Sequence, residues 1–410
     1  MSKPMGAVPP GFGSEGGVLT IGGRRVDHLV AEAGDTPLFV YDAGLVRHRV
    51  ERFRAAFQGV SLHYAVKANP FEPLLRAALN LVDGLDVASV GELRLALGAG
   101  AAAPQISFAG PGKRGAEIEE AIRAGVTLNL ESEGEAERAI RIGDVLGIRP
   151  RLAVRVNPDF EIRGSGMRMG GGAKPFGVDA ERVPTLVRRL IDAGADWRGF
   201  HIFAGSQALD AGALIEAQRA TLDLATSLSE AAGAPPPSLN LGGGFGIPYF
   251  HGEQPLDIEE VGQALREALN RRSQVLQKTT FSIELGRWLV GEAGVYLTRI
   301  VDRKVSHGKT FLITDGGMHH QLAASGNFGQ VVRRNYPVAI ATRMGDAPEE
   351  EANIVGCLCT PLDRLADDVM LPRAEVGDLV AVFLAGAYGL SASPQAFLAQ
   401  QPAREMLVGG

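Results

Sequence analysis

The sequence predicts a (β/α)8 barrel followed by a mostly antiparallel β domain. Between residues 61 and 287, eight short β-rich runs alternate with longer amphipathic segments, which is typical of parallel strands joined by helical crossovers. Polar residues and glycines stand at the ends of these runs, where barrels carry their functional groups. After residue 287, strand-like runs continue without long helices between them. The alternation alone leaves a doubly wound open sheet as the alternative.

The elements follow in order along the chain. Residues 1–17, rich in Gly, Pro and Ser, predict a disordered leader. A hairpin is predicted over 18–25 and a strand over 36–42, and we expect residues 18–45 to join the β domain. The barrel is predicted over residues 46–287 and the C-terminal β domain over 288–410. Barrel strands are predicted at Leu62–Ala68, Gly84–Ser89, Ile106–Gly110, Thr127–Ser132, Arg151–Asn157, Gly199–Gly205, Ser238–Gly244 and Thr280–Gly286, with helices at 71–80, 91–99, 115–124, 133–147, 181–193, 209–232 and 257–276. The β domain strands are predicted at Gly294–Val305, Thr310–Thr314, Ala352–Gly356 and Asp378–Leu384.

Composition argues against several classes of function. Of the 410 residues, 45% are hydrophobic and 21% charged, as in ordinary globular proteins. The net charge of −6 disfavours nucleic-acid and anionic-membrane partners. The longest apolar run, Leu379–Leu390, is shorter than the about 20 residues that span a bilayer, and no signal-peptide pattern opens the chain. Cys357 and Cys359 are too close for an ordinary disulfide, so we expect a reducing cytoplasm.

Lys67 stands at the end of the first barrel run, in Y-A-V-K-A-N-P. A lysine amine that faces an apolar pocket is nucleophilic and can form a Schiff base. A side chain that extends from the strand end into solvent is the alternative.

Three glycines follow the seventh run, in L-N-L-G-G-G-F-G-I-P-Y (239–249). Their backbone N–H groups can cradle a phosphate, and Ser206 at the end of the sixth run can add a hydroxyl. A plain tight turn is the alternative. Pro248 argues against a dinucleotide-binding loop, which would open a helix here.

The eighth run ends in E-L-G-R (284–287), which places an acid and a base where barrels often bind phosphate. A surface ion pair is the alternative. Further on, C-L-C-T-P-L-D (357–363) holds either a reactive thiol or two structural cysteines. The histidines are scattered apart from His319 and His320, and metal-binding motifs are missing, so no metal site is predicted.

A lysine, a phosphate cradle, an acid and a late thiol together indicate pyridoxal 5′-phosphate. In this hypothesis Lys67 holds the aldehyde, the glycines hold the phosphate, and Glu284 faces the pyridine nitrogen.

From about residue 36 to residue 400, the chain resembles the fold-type III pyridoxal-phosphate decarboxylases, the alanine-racemase-like group that includes diaminopimelate and ornithine decarboxylases. The motifs that carry the resemblance are Y-A-V-K-A-N-P, D-V-A-S-x-G-E, F-A-G-P-G-K, G-G-G-F, E-x-G-R, C-x-x-x-D and G-A-Y. A second set is similar to decarboxylases associated with the exosortase A system and exopolysaccharide clusters, and to the carrier-protein-bound glutamyl decarboxylase of aminoglycoside biosynthesis: G-S-G-M-R-M-G-G-G, H-I-F-A-G-S-Q, D-G-G-M-H-H, R-R-N-Y-P and L-C-T-P-L-D.

The resemblance implies a role for each matching residue. Lys67 would be the Schiff-base lysine, and Cys359 would reprotonate the substrate carbon. The implied cofactor-binding residues are Lys67, Asp86, Arg155, Phe203, Ser206, Gly243, Gly244, Glu284, Arg287 and Tyr388, and the implied substrate-binding residues are Arg333, Arg334, Tyr336, Thr360 and Asp363. Cys359 and Asp363 would reach the active site from the partner subunit, so the resemblance implies a homodimer.

Three positions depart from the family pattern. Phe203 stands where a histidine usually stacks on the pyridine ring; it can stack but cannot donate a proton, and His201 aligns with an earlier histidine. Thr360 replaces the acid that grips the distal ammonium of diaminopimelate or ornithine, and a buried ammonium without a partner costs several kcal/mol. Leu285 replaces the usual proline of E-P-G-R.

The expected activity is α-decarboxylation of an amino acid, either free or attached to an acyl carrier protein, in the cytoplasm. An amino-acid racemase on the same fold and a non-catalytic protein that binds the cofactor are the alternatives. Glu284 counts against a racemase because an acid there keeps the pyridine nitrogen protonated. The long segment after the barrel counts against a simple cofactor carrier.

Overall fold

The computed structural model describes residues 2–410 apart from Arg163, Ser165, Met169, Gly329 and Val331, with only the backbone of Met167 and Arg168. Two residues of the predicted motif G-S-G-M-R-M-G-G-G therefore lie outside the described residues. The chain divides into two compact units. The barrel unit contains residues 49–247 and 255–286, and the β unit contains the chain up to His48, residues 248–254 and residues 287–410.

The strands of the described residues follow in chain order. The first half contains β1 (Gly13–Glu15), β2 (Val18–Ile21), β3 (Arg24–Arg25), β4 (Leu38–Asp42), β5 (Ser61–Ala65), β6 (Gly84–Val87), β7 (Ile106–Phe108), β8 (Thr127–Leu130), β9 (Arg151–Asn157), β10 (Met167–Arg168) and β11 (Val178–Asp179). The second half contains β12 (Asp196–Ile202), β13 (Gly205–Ser206), β14 (Ser238–Asn240), β15 (Thr280–Leu285), β16 (Gly294–Ser306), β17 (Lys309–Thr314), β18 (Val338–Ile340), β19 (Glu350–Val355), β20 (Arg364–Leu371), β21 (Leu379–Val382) and β22 (Arg404–Val408).

The α-helices are α1 (Val26–Ala33), α2 (Ala43–Ala56), α3 (Glu72–Leu79), α4 (Val90–Gly98), α5 (Gly115–Ala124), α6 (Glu133–Leu146), α7 (Val183–Asp192), α8 (Ala211–Ala232), α9 (Ile258–Asn270) and α10 (Arg287–Val290). None of the helices in the described part of the chain combines the length and apolar character needed to cross a bilayer.

The barrel is closed and its strands are parallel, as the sequence predicts. The order is β5-β6-β7-β8-β9-β12-β14-β15, and β15 pairs back onto β5. The open-sheet alternative is thereby wrong. Each predicted strand and helix of the barrel has an observed counterpart, although several are shorter. The predicted strand to Ala68, for example, ends at Ala65, and a 3-10 turn over Val66–Ala68 follows it.

Local sequence signals explain where the barrel helices begin and end. Ser89, Ser132, Asp210 and Asp257 cap α4, α6, α8 and α9, each accepting a hydrogen bond from the backbone N–H three residues later. Glycines in the left-handed conformation end three helices at Gly125, Gly147 and Gly233. The buried residues of these helices recur at helical spacing, as Ile118, Ala121 and Ile122 do on α5, so each helix packs one apolar face inward.

The β unit is mostly antiparallel, as predicted. Its central strand β16 pairs antiparallel with β4, β17 and β21. Two pairings are parallel, β17 with β19 and β22 with β4. Within the segment predicted as a disordered leader, β1 pairs with β2, and the backbone of Met5 bridges to Asn335. Backbone hydrogen bonds therefore order a segment whose composition is typical of disorder.

Candidate active site

The barrel unit places Lys67 just past the end of its first strand. The 3-10 turn buries Val66 and Ala68, and Lys67 between them is exposed. Its Nζ lies 5.6 Å from the centre of the Phe203 ring, a cation–π distance. The amine therefore lies beside the aromatic ring that replaces the family histidine.

Glu284 lies on β15 with 7% of its surface exposed. Its Oε2 is 3.2 Å from His201 Nε2 and accepts a hydrogen bond from Asn240 Nδ2 at 3.3 Å. Burial opposes ionisation, but the positive charges of His201, Lys67 and Arg155 outweigh it and hold the pKa of Glu284 well below its usual range. Glu284 is therefore a fixed carboxylate at working pH.

The triple-glycine loop packs directly against this carboxylate strand. A Cβ on Gly243 would lie 1.8 Å from the Glu284 carbonyl oxygen, and one on Gly244 would lie 2.3 Å from the Gly205 carbonyl oxygen. Only glycine fits this approach. The N–H groups of Gly243 and Gly244 donate to no acceptor among the described residues, so they are free to bind an anion.

Arg155 is held at the barrel mouth by a buried acid that sequence reasoning missed. Its Nη1 donates to Glu131 Oε1 at 2.9 Å, and its guanidinium lies 5.0 Å from the Phe176 ring centre. Glu131 also accepts the N–H groups of Gly110 and Gly177. Burial alone would raise the pKa of Glu131, but Arg155 and other cations lower it, so both members of the pair are charged.

Lys113, from the F-A-G-P-G-K motif, forms a second buried ion pair in the barrel unit. Its Nζ lies 2.7 Å from Glu135 Oε1 and donates to the carbonyl oxygens of Gly110 and Asn129. Both charged side chains are 2% exposed. The lysine of this motif therefore fixes the backbone of the barrel rather than contacting solvent.

In the β unit, Arg287 is surrounded by tyrosines. Its Nη1 donates to Tyr249 Oη at 2.8 Å, and its guanidinium lies 4.7 Å from the Tyr388 ring centre. Its buried Nε has no partner among the described residues. Tyr388 adopts a left-handed φ of 53°, which is uncommon for a bulky residue. Such strain is typical of functional sites.

The predicted substrate residues of the β unit have structural partners of their own. Arg333 forms an ion pair with Asp367 and donates to the Ser325 carbonyl. Arg334 lies 3.1 Å from Glu253, and Tyr336 packs on Tyr249 with ring centres 4.9 Å apart.

The turn that carries the thiols is organised by Asp363. Its carboxylate accepts the N–H groups of Met318 and Leu358 at 2.6 and 2.8 Å. Cys359 is exposed, whereas Cys357 is half-buried, and burial raises the pKa of the Cys357 thiol. Thr360 lies within the same turn, and its carbonyl accepts the Asp363 N–H.

Comparison with known proteins decides the family. Residues 43–291 match the model of the pyridoxal-dependent decarboxylase pyridoxal-binding domain. The chain belongs to the pyridoxal-dependent decarboxylases. It is 36% identical over 382 residues to the L-glutamyl-[BtrI acyl-carrier protein] decarboxylase of Niallia circulans, covering 91% of this chain and 89% of that protein. It is 33% identical over 405 residues to the diaminopimelate decarboxylase of Archaeoglobus fulgidus, covering 97% and 94%.

A solved structure supports the same assignment. The diaminopimelate decarboxylase of M. jannaschii in complex with L-lysine superposes with a TM-score of 0.89 at 26% identity, covering 97% of this chain and 93% of that one. The resemblance to the fold-type III pyridoxal-phosphate decarboxylases and the fold expectation are confirmed. This decarboxylase is a carboxy-lyase and uses pyridoxal 5′-phosphate, which decides against the racemase and the non-catalytic alternative.

The barrel residues of this decarboxylase fit that cofactor. The free N–H groups of Gly243 and Gly244 suit a phosphate, and the permanent carboxylate of Glu284 suits a protonated ring nitrogen. Sequence reasoning missed Glu131 and Glu135, and it gave Lys113 no role beyond its place in F-A-G-P-G-K. The signal for Glu131 was its position near the end of the run predicted at Thr127–Ser132, and an acid there is usually read as solvent-exposed.

Proposed function

We propose that this decarboxylase removes the α-carboxyl group of an aminoacyl substrate that lacks a free distal ammonium, such as a glutamyl group attached to a carrier protein. The observation that carries the proposal is the turn over residues 357–363. Thr360 follows the thiol where the related diamino-acid enzymes have an acid. The one carboxylate of the turn, Asp363, is 3% exposed and already accepts two backbone N–H groups.

The absence of a usable acid in this turn has a physical consequence. A distal ammonium entering it would lose its water without gaining a negative partner, and such a loss costs several kcal/mol. A thioester or amide at that end carries no charge and avoids the penalty. The 36% identity with a decarboxylase named for a carrier-bound glutamyl substrate supports the same assignment.

In the proposed site, each barrel residue contacts a different part of the cofactor. Lys67 binds its aldehyde, Phe203 stacks on its ring, and Asp86 lies near the lysine. The Gly243–Gly244 N–H groups and Ser206 bind its phosphate, and Arg155 contacts its phenolic oxygen. Arg287 and Tyr388 keep the phosphate-binding role that the family resemblance implies for them.

When bound, pyridoxal 5′-phosphate supplies an electron sink for the pair left by the departing carboxylate. Glu284 keeps the ring nitrogen protonated, because its own proton affinity is suppressed by the surrounding cations. His201 and Asn240 hold Oε2 of that carboxylate in place. Cys359 then delivers a proton to Cα as general acid.

Substrate choice is tested by carbon dioxide release from three substrates: glutamyl-carrier protein, free glutamate and diaminopimelate. We expect the carrier-bound substrate to have the highest kcat/KM. Thr360→Glu should raise turnover of diaminopimelate by supplying the missing charge, whereas the neutral control Thr360→Gln should not. Efficient diaminopimelate decarboxylation by the unmodified enzyme would refute the proposal.

We also propose that the enzyme works in the cytoplasm as a homodimer in which each Cys359, on the turn that Asp363 organises, serves the partner's barrel. Mixing Lys67→Ala with Cys359→Ala under conditions that exchange subunits tests this directly. Shared sites predict recovery of about a quarter of the activity, since half of the dimers are mixed and each has one intact site. Sites built within one subunit predict no recovery.

A further inference from the structure

The lower half of the barrel contains a polar cavity that the proposed reaction does not use. It has a volume of about 210 Å³ and lies at the N-terminal ends of the strands. Its lining comes from seven of the eight barrel strands and from Asp83, which stands just before the remaining strand β6, and it includes Ser61, His63, Ser107, Asn129, Asn240 and Ser282. Barrel interiors are ordinarily filled by bulky branched side chains. Small polar residues in those layers leave this space open.

The cavity opens toward the N-terminal rim of the barrel. The lining residues at the rim, Gln105 and Thr280, are exposed, whereas Asn129 and Asn240 at the far end are buried. One water molecule requires about 10–15 Å³, so this cavity has room for several. Its hydroxyl and amide groups can provide the several hydrogen-bond partners that each ordered water needs. A cavity of this size and polarity is hydrated, unlike an apolar void.

His63 connects the cavity to the floor of the proposed cofactor site. Its Nδ1 lies 3.2 Å from Oδ2 of Asp86, and its side chain is 20% exposed although it points into the barrel. A Cβ on Gly84 would lie 2.8 Å from His63 Nε2 and equally close to the Gln105 carbonyl oxygen. The glycine therefore makes room for the ring, and His63 itself lines the cavity.

Asp86 in turn lies next to the lysine strand. It pairs in register with Ala65, two residues before Lys67, and its Oδ1 is buried without a partner among the described residues. One oxygen of this carboxylate is thus fixed by His63, and the other is available to a group in the site above.

Acidic groups surround His63 from both neighbouring strands. Asp86 and Asp83 approach it from the β6 side, Glu284 stands in register with it on β15, and Arg198 is the one cation among the cavity-lining residues. Burial disfavours the charged ring, but the three carboxylates outweigh it and raise the pKa of His63.

We infer that the cavity holds a cluster of water molecules that reaches His63, and that protons enter and leave the His63–Asp86 pair through this water from the N-terminal rim. In the deprotonation step, the imidazolium releases its Nε2 proton to a cavity water and keeps its Nδ1–H on Asp86, so the charge of the pair falls by one. His63 is a positioning residue that acts through Asp86. Its relevance to Lys67 rests on the proposed function, whereas the water cluster and the proton route do not.

The test measures the protonation and proton exchange of the His63 ring rather than enzyme turnover. Histidine labelled with nitrogen-15 reports the protonation state and the exchange of the ring N–H with solvent, and His63→Gln assigns the signal by its loss. Measurements use the holoenzyme with and without a substrate analogue that closes the barrel mouth. Ser282→Leu fills the cavity with an apolar group, and Ser282→Asn is the control with the same branching and a polar end.

We expect a crystal structure of the holoenzyme to show ordered water between the rim and His63 Nε2. Exchange at His63 should be unaffected by the analogue, should slow at least ten-fold in Ser282→Leu, and should remain fast in Ser282→Asn. A dry cavity, or exchange that the analogue slows, would overturn the inference, as would equal rates in the two Ser282 variants. If Ser282→Leu does not fold, the crystal structure and the analogue experiment still decide. Lack of decarboxylation with every substrate would refute the proposed function and leave these results unchanged.

Discussion

Lowering the pH should lower the free energy of unfolding of the β unit through one buried histidine. His320 is 1% exposed. Its Nε2 donates to the Gln401 carbonyl oxygen at 2.9 Å, since a carbonyl can only accept, and its Nδ1 lies 3.1 Å from the Tyr296 hydroxyl. This arrangement suits the neutral ring, with Nδ1 as acceptor. Burial, with the nearby His319, lowers the pKa of His320 to about 4.

The magnitude follows from proton linkage. In the unfolded chain the histidine has a pKa of about 6.5, so between about pH 6.5 and 4 the unfolded state binds the extra proton and stability falls as pH falls. With a folded pKa of about 4, the loss between pH 7.5 and pH 4.5 is about 2.5 kcal/mol. His320→Gln keeps a donor for Gln401 but cannot be protonated. The free-energy difference between wild type and variant should therefore shift by about 2.5 kcal/mol in favour of the variant over this range.

The two tryptophans allow the measurement to be made on one unit. Trp288 is buried in the β unit and Trp197 belongs to the barrel unit. Urea denaturation of a Trp197→Phe background, followed by fluorescence at several pH values with and without His320→Gln, reports the stability of the β unit. Parallel pH profiles for the two proteins would show that His320 is protonated in the folded state and that the reasoning is wrong.

Three further predictions concern the barrel. Gly243→Ala should weaken cofactor binding at least ten-fold in a titration, because the added Cβ collides with the Glu284 carbonyl oxygen; an unchanged Kd contradicts this. Lys113→Met should cost about 3–5 kcal/mol in barrel stability by urea denaturation, because the Glu135 carboxylate stays buried and unpaired, and Lys113→Met/Glu135→Leu should recover most of that loss. Glu284→Gln should lower kcat at least a hundred-fold, since a neutral amide cannot hold the ring nitrogen protonated; retention of half the activity would remove Glu284 from the mechanism.

The barrel could be predicted because its signals are local. Alternating or apolar residues, capping serines and left-handed glycines each act within a few positions of the chain. Ser89 therefore marks the start of one helix in the sequence, and Gly125 marks the end of another. The closure of β15 on β5 is not local, but eight repeats of the unit imply it.

The buried ion pairs of the barrel could not be predicted, because they join residues that are far apart in the sequence. Glu131 and Arg155 are 24 positions apart and Lys113 and Glu135 are 22 apart, and each pair is joined only when neighbouring β/α units of the barrel pack side by side. The role of Asp363 could not be predicted from its motif either. Its motif suggests a substrate contact, whereas its buried carboxylate binds the backbone of the turn that it occupies, and a one-dimensional motif cannot separate these roles.

The charged groups at the barrel mouth differ in how many partners they have, and this difference would orient a bound cofactor. The acids Glu131 and Glu135 are each neutralised by a partner cation, so neither attracts further positive charge. On Glu284, His201 and Asn240 both approach Oε2, and no hydrogen bond reaches Oε1 from the described residues. The free N–H groups of the glycine loop lie beside the backbone of the same strand. One open acceptor and one open pair of donors would therefore fix the direction of a bound ring, with the cationic nitrogen at the acid and the phosphate at the glycines. Reversing the two would bring two negative groups together and leave a cation facing N–H dipoles.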